Sequence, residues 1–328
     1  MLGNGNKSIE IDNYIIDKKM RRSLHVTSVL LTAILLLSSL PSFAANRYKS
    51  WYKPTQKVNH LVTAGASIGY STLLENYDDL ITTGSVGGTV GLGYELRVNN
   101  FLLATGVDAQ FVTANASFEL PNIPPRDIID TQGKQATMNY MFEPIEEAHR
   151  FMYVSIPVMV GAYYKGFYFG VGAKVGLPIN PITKLSYNYE TSGTYGEYID
   201  DFANMNGNGY GPYSSTKQYK NENVPVVRAS AVLEIGYDVL CPVRKMDDKQ
   251  RNGLRIAAVC EYGLNNMVST AEAATSSIMI NKQNANDVTV LPYYQTHAIS
   301  GHHVNNLYAG IKLTWTFDFS KQPCDCEE

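Results

Sequence analysis

The chain has little net charge and few long apolar runs, and each absence excludes a class of protein. A net charge of −3 at pH 7 over 328 residues gives no indication of a nucleic-acid partner. Mean hydropathy is −0.17. Beyond residue 40 no segment approaches 18 continuous apolar residues, so membrane-spanning helices are not predicted.

The sequence also lacks recognisable catalytic and cofactor-binding motifs. It has no Ser-His-Asp spacing, phosphate-binding loop, dinucleotide-binding glycine fingerprint or HExxH segment. His297, His302 and His303 fit no standard metal-ligand spacing, and Cys324-Asp325-Cys326 offers too few ligands for a defined metal site. We therefore predict no enzymatic activity, no cofactor and no metal.

Residues 20–44 have the pattern of an export signal. Arg21 and Arg22 provide the positive start, residues 26–40 are apolar, and small residues precede a predicted cleavage after Ala44, with Ala45 as the alternative. Because Met20 is a natural start, residues 1–19 are either a misassigned upstream extension or a long n-region. Residues 1–44 are therefore excluded from the fold prediction.

Eight later segments alternate apolar and polar residues with a period of two, which predicts β-strands with one apolar face. In the last of them Leu313, Trp315 and Phe317 share one face, while Lys312, Thr314 and Thr316 share the other. The predicted strands span residues 60–70, 85–98, 101–112, 151–164, 167–177, 226–239, 254–263 and 305–319.

The polar face of these strands is rich in glycine and carries almost all of their charges. This face could line the inside of a barrel or its outside. A soluble lipocalin-like barrel would put the apolar face inside. Small residues beside long charged ones pack better in a narrow eight-stranded bore than on an outer wall. We therefore predict an all-β, eight-stranded antiparallel up-and-down transmembrane barrel. The predicted lumen charges are Glu95, Arg97, Asp108, Lys174, Arg228, Glu234, Arg255, Glu261, Lys312 and Asp318.

The connections alternate in length, as they do in bacterial outer-membrane barrels. Residues 99–100, 165–166 and 240–253 are predicted periplasmic turns, and residues 71–84, 113–150, 178–225 and 264–304 are predicted extracellular loops. Both termini are then periplasmic: residues 45–57 precede the barrel at 58–319, and residues 320–328 form a tail. There Cys241 could bridge to Cys324 or Cys326, or the thiols could stay free or pair in the tail.

Two interpretations of the lumen and two of the third loop remain open. Paired charges would close a narrow lumen, whereas unpaired ones would line an ion or small-solute channel. The third loop mixes tyrosine with small polar residues, which is typical of recognition surfaces, so a host protein or glycan could bind there. A solvated loop without a ligand is the alternative. The candidate residues are Tyr187, Tyr189, Tyr195, Tyr198, Tyr210 and Tyr213.

The segments Tyr153-Val154-Ser155-Ile156-Pro157-Val158 and Glu234-Ile235-Gly236-Tyr237, with the aromatic-ended last strand, support a family comparison. The chain resembles the OmpA-like and PorT-like eight-stranded outer-membrane barrels of Bacteroidetes over residues 58–319. The resemblance implies insertion into outer-membrane lipid by the Bam machinery, with Phe317 and Phe319 as the assembly signal. It also adds an accessory role in secretion or envelope assembly to the structural, surface-interaction and channel hypotheses. The tail after Phe319 departs from the family pattern.

Overall fold

The computed structural model describes residues 58–75, 80–120, 123–129, 133–164, 166–196, 202–203, 210–220, 227–240, 252–267, 278–280, 287–293 and 303–319. The predicted export signal, the segment 45–57 and the tail 320–328 lie outside these residues. So do Tyr198, His297, His302, Cys241, Cys324 and Cys326. No helix in the described part of the chain is long and apolar enough to cross a bilayer.

The described residues form fourteen strands, which vary in length from two to 28 residues. They are β1 (Val58–Glu75), β2 (Leu80–Val98), β3 (Phe101–Phe118), β4 (Arg126–Ile129), β5 (Gln135–Phe142), β6 (Ile145–Tyr164), β7 (Phe167–Thr194), β8 (Phe202–Ala203), β9 (Gly211–Lys220), β10 (Arg228–Leu240), β11 (Asn252–Gly263), β12 (Ile278–Ile280), β13 (Val288–Val290) and β14 (Val304–Asp318).

Eight of these strands close into a ring. The hydrogen-bonded order is β1, β2, β3, β6, β7, β10, β11 and β14, with β14 returning to β1, and every pairing is antiparallel. Strands β2–β3, β6–β7 and β10–β11 are joined at one end of the ring, here called the short-turn end. The opposite end is called the extended end. The predicted eight-stranded antiparallel barrel is confirmed, because these strands are the eight that the sequence indicated.

The apolar face of the ring points outward. Leu92, Phe101, Ile156 and Leu313 are each about half to three-quarters exposed, and similar apolar side chains are exposed on the other strands of the ring. The alternate residues, including most of the charged ones, are buried in the lumen. In a closed ring the backbone N–H and C=O groups of every strand are hydrogen-bonded to a neighbouring strand and need no water on the outside. Together with the apolar outer belt and the polar interior, this makes the fold that of a transmembrane barrel. The lipocalin-like alternative, with the apolar face inside, is excluded.

Several strands continue well beyond the belt, where the sequence indicated loops. Strand β3 ends at Phe118 and β6 begins at Ile145, both within the predicted loop 113–150. Strand β7 extends 17 residues beyond the predicted end at 177, and its outer part pairs with β5 on one side and with β8 and β9 on the other. The loop predictions for 71–84, 113–150 and 178–225 were therefore wrong over much of their length. Backbone pairing continues there because the outer parts of the strands hydrogen-bond to one another.

A β-bulge in β7 marks the outer boundary of the belt. Opposite Arg150 and Met152 on β6 stand Ile182 and Ile179 on β7, so β7 has one extra residue, and Asn180 there has a φ of 51°. An extra residue reverses the alternation of side chains. Odd-numbered residues of β7 up to Ile179 therefore point outward, and those from Thr183 onward are buried inside.

The extended end has an apolar core of its own. Leu73, Val112, Phe118, Ile145 and Leu185 line its inside and are almost completely buried. Val288 and Val290 of β13, together with Tyr293, pack into the same core from the fourth long connection. This part of the barrel is consequently filled by side chains and does not form an open vestibule in the described residues.

The bulge can be tested by substituting the residue that adopts the left-handed backbone. We expect Asn180→Gly to leave the protein intact, because glycine adopts a positive φ without strain, whereas Asn180→Val should cost about 1–3 kcal/mol. The loss should fall on the extension, because the ring below the bulge keeps its pairing. Limited proteolysis of folded protein in detergent measures this directly. Equal resistance of the valine and glycine variants would contradict the assignment.

Candidate functional site

Four charged side chains meet near the short-turn end of the lumen and are here called the short-turn cluster: Glu95, Arg97, Asp238 and Arg255. Arg255 donates to both oxygens of Glu95 at 2.9 and 3.0 Å and to Asp238 at 2.8 Å. Arg97 reaches Glu95 and also Asp238, the latter at 3.2 Å. All four are at most 5% exposed. Two acids and two bases thus form a neutral group that joins β2, β10 and β11.

Aromatic rings complete this layer. The Arg97 guanidinium lies 4.3 Å from the ring centroid of Tyr163, and that of Arg255 lies 4.0 Å from the centroid of Tyr168. Both tyrosines are buried beside Leu102. Cation–π contacts become stronger where water is excluded, so the rings hold the two guanidinium planes in place. The layer therefore combines ion pairs with aromatic packing across the bore.

A second group lies further toward the extended end and is here called the central cluster: Asp108, Lys174, Arg228 and Glu261. Lys174 contacts Asp108 at 2.8 Å and Glu261 at 3.1 Å, and Arg228 contacts Glu261 at 2.8 Å. Gln110 donates to Glu261 and accepts from Arg228, which also packs on the ring of Tyr153 at 4.5 Å. This group is also neutral, and it links β3, β7, β10 and β11.

A small cavity and one further ion pair lie between the clusters. Lys312 donates to Glu234 at 2.6 Å, and the Tyr168 hydroxyl donates to the other oxygen of Glu234 at 3.3 Å. The cavity has a volume of about 60 Å³, and Thr63, Thr105 and Lys312 are among the side chains that line it. That space accommodates only a few water molecules.

The structure brings nine of the ten predicted lumen charges into these contacts. Asp318 instead lies half-buried at the end of β14, opposite Leu61, and takes no part in either cluster. Asp238 was not among the predicted lumen charges, although it has the inward parity of Arg228 and Glu234 on the same strand. Tyr163 and Tyr168 were not predicted as lumen residues either, although both have the buried parity of their strands.

The described tyrosine candidates of the third loop, which are all but Tyr198, do not form an exposed surface. Tyr187, Tyr189 and Tyr210 are at most 5% exposed, and Tyr213 is half-buried. The burial of Tyr187 and Tyr189 follows from the bulge at Asn180, which turns the odd-numbered residues of outer β7 inward. Tyr195 is close to Tyr210, whose hydroxyl donates to that of Tyr195 at 3.4 Å. The interpretation of these rings as a ligand-contacting surface therefore does not agree with their positions.

Instead, these rings hold the fourth connection. Phe142, Tyr189 and Tyr213 are cross-strand neighbours on β5, β7 and β9, and their rings stack at centroid distances of 5.0 and 5.3 Å. The hydroxyl of Tyr187 donates to the carbonyl of Val288 at 2.8 Å, and Tyr219 donates to Val290 at 2.6 Å. Burial raises the pKa of Tyr219 to about 12, so this hydroxyl remains a donor at neutral pH.

Another buried polar group also holds the fourth connection in place. Glu147 and His149 on β6 are fully buried, 3.2 Å apart, and His149 also contacts the Thr183 hydroxyl at 3.0 Å. Glu147 accepts the backbone N–H of Tyr293 at 2.6 Å. Since no side chain of this group reaches the surface, the arrangement can anchor residues 291–293 but offers no access to a substrate.

Phe317 and Phe319, the predicted assembly signal, point outward at the short-turn end. Both are more than one-third exposed. The Phe319 ring lies 6.0 Å from that of His60 and 6.3 Å from that of Tyr94. Aromatic residues in this position are typical of the interfacial girdle of a membrane barrel.

Taken together, the ring closure, the outward apolar belt and the charged lumen define a transmembrane β-barrel. No protein-family model and no curated protein matches the chain. Among solved structures, it is similar to the attachment invasion locus protein Ail of Yersinia pestis, at 9% identity, 79% coverage of this chain, 99% coverage of Ail and a TM-score of 0.23. It is also similar to the outer-membrane protease OmpT of Escherichia coli, at 10% identity, 83% coverage of this chain, 100% coverage of OmpT and a TM-score of 0.24. Because these scores are low, the fold assignment depends on the geometry above.

The charge balance of the short-turn cluster makes a testable prediction. Arg255→Met leaves an uncompensated buried carboxylate and should lower the free energy of unfolding by about 3–5 kcal/mol. Adding Asp238→Asn restores neutrality, because Arg97 and Glu95 still pair, and should recover most of that loss. Denaturant unfolding in detergent micelles, followed by tryptophan fluorescence, gives both values. A double variant as unstable as the single one would show that charge balance is not what stabilises this layer.

Proposed function

We propose that this protein is an integral barrel of a bacterial outer membrane whose lumen is closed and which acts through its extended end. The observation that carries the proposal is the layered filling of the bore. The short-turn cluster, the Glu234–Lys312 pair and the central cluster succeed one another along the lumen, and the apolar core lies beyond them. The role is structural or surface-interacting, and no catalytic step is assigned to it.

We propose further that the extended end faces the cell exterior and that both termini are periplasmic. The length difference between the two ends supports this orientation, because outer-membrane barrels have short periplasmic turns and longer extracellular segments. The outer face of β7 and β9 is then the surface available to a partner. It is polar, with Asn188, Ser214, Thr216 and Gln218 exposed. This face takes the place of the buried tyrosines as the proposed interaction surface.

The closed lumen is tested by planar-bilayer recording. We expect wild-type protein to show no stable conductance steps, because ions would have to displace paired charges in a bore with little free volume. A heat-modifiable band on a gel shows that the recorded sample contains folded barrel. Reproducible steps whose size changes in Lys312→Gln, a lumen variant, would overturn the closed lumen and favour the narrow-channel alternative.

The orientation is tested by cysteine labelling of intact cells. Ser214→Cys on the outer face of β9 should react with a membrane-impermeant maleimide, since it is exposed at the extended end. Asn100→Cys, exposed in the turn between β2 and β3, should react only after the outer membrane is permeabilised. The wild type gives the background from the native cysteines. The opposite labelling pattern would show that the barrel is inverted, and an accessory role on the periplasmic side would then be favoured.

A further inference from the structure

Three cations lie together on the outer face, at the point where the apolar belt ends. Arg150 on β6 and Lys220 on β9 both stand opposite Ile182 of β7, one from each side. Lys184 lies two residues further along β7 on the same face. All three side chains are exposed, whereas their chain neighbours Phe151 and Thr183 are buried. These three residues are called here the boundary cluster.

The register sets the size of this cluster. Neighbouring strands are about 4.8 Å apart, so the backbones of Arg150 and Lys220 are separated by about 10 Å, and that of Lys184 is about 7 Å further along the strand. Lys and Arg side chains are long enough to reach a common anion across such distances. The last outward belt residues below them are Met152 and Ile179. The cluster therefore lies at the height of the lipid headgroups.

The charge of the cluster is not balanced within the described part of the chain. Unlike the lumen cations, Arg150, Lys184 and Lys220 form no ion pair there. Glu146, the nearest outward acid on β6, stands opposite Ser186 and forms no ion pair with them. Elsewhere at this boundary, the outward residues Thr83 on β2 and Asn115 on β3 are uncharged. Within the described residues, the cationic site therefore lies on the β6–β7–β9 side of the barrel, and β2 and β3 carry no outward cation at this height.

We infer that the boundary cluster binds the phosphate groups of an anionic lipid in the outer leaflet. The aliphatic stems can lie along the apolar belt while the cationic ends reach the headgroup layer. Arg150 supplies a planar donor fork that matches phosphate oxygens, and the two lysines supply point charges. The lipid would be held on the β6–β7–β9 side, next to the bulge at Asn180. This inference rests on the proposed orientation of the barrel.

The test compares lipid selectivity of the wild type with Arg150→Gln, Lys184→Gln, Lys220→Gln and the triple variant. Each protein is reconstituted in phosphatidylcholine vesicles that contain a trace of spin-labelled phosphatidic acid or spin-labelled phosphatidylcholine. Wild-type protein should retain the phosphatidic acid preferentially. Each single substitution should weaken that preference about fivefold, as expected for one cation near a lipid surface. The triple variant should show no preference.

The matched control is Lys134→Gln, which removes the same charge at an exposed position beside β5. That strand pairs with the outer end of β7, about 40 Å along the strand from Ile182. This variant should keep the wild-type lipid preference. A loss equal to that of the boundary variants would overturn the inference, because net charge and not the cluster would then set the preference.

Three further outcomes are distinguishable. Equal retention of both lipids by heat-modifiable wild-type protein would overturn the proposed lipid site and leave the barrel proposal intact. Failure of the wild-type protein to insert into the vesicles and to change its gel mobility on heating would count against the proposed function itself. Complete displacement of the labelled phosphatidic acid by millimolar inorganic phosphate would show a general anion site and overturn the assignment to lipid.

Discussion

The pairing of β7 with β10 is the contact on which the rest of the structure depends. It closes eight antiparallel strands into a ring, so that each strand has a hydrogen-bonded neighbour on both sides. An unpaired backbone group costs several kcal/mol in hydrocarbon, and a ring is the only sheet without such an edge. Closure then forces alternate residues into a narrow space. The composition of the lumen follows from that space and from the need to leave the outer face apolar.

Charges in such a lumen are tolerable only in balanced groups. Five acids and five bases participate in the contacts described: Glu95, Asp108, Glu234, Asp238 and Glu261 against Arg97, Lys174, Arg228, Arg255 and Lys312. Moreover, each cluster is neutral by itself. Local neutrality matters more than the overall sum, because an unbalanced charge in a poorly hydrated bore cannot be compensated from a distance. Glycines on the facing strands leave the room that the long side chains fill.

The fold was predictable because a period of two is a local property of the sequence. The eight strands and their inward and outward faces required no knowledge of which strand pairs with which. The extended end was not predictable, because one inserted residue near Asn180 reverses every following side chain of β7. The burial of Tyr187 and Tyr189 depends on that insertion, and no feature of the tyrosine-rich segment itself signals it. Asp238, by contrast, could have been found from its parity alone.

The bulge also connects the two ends of the molecule physically. Below it, β7 turns Leu177 and Ile179 toward lipid. Above it, the same strand turns Leu185 and Tyr187 into a protein core and Lys184 outward. A single strand thus changes from a lipid-facing wall to one layer of an extramembrane sheet, and it pairs with β6 on both sides of the bulge. Because the ring holds the base of β7 rigidly, the outer sheet is held at a fixed height above the apolar belt. A surface built in this way can present polar residues at a constant distance from the membrane, which a loop of the same length could not do.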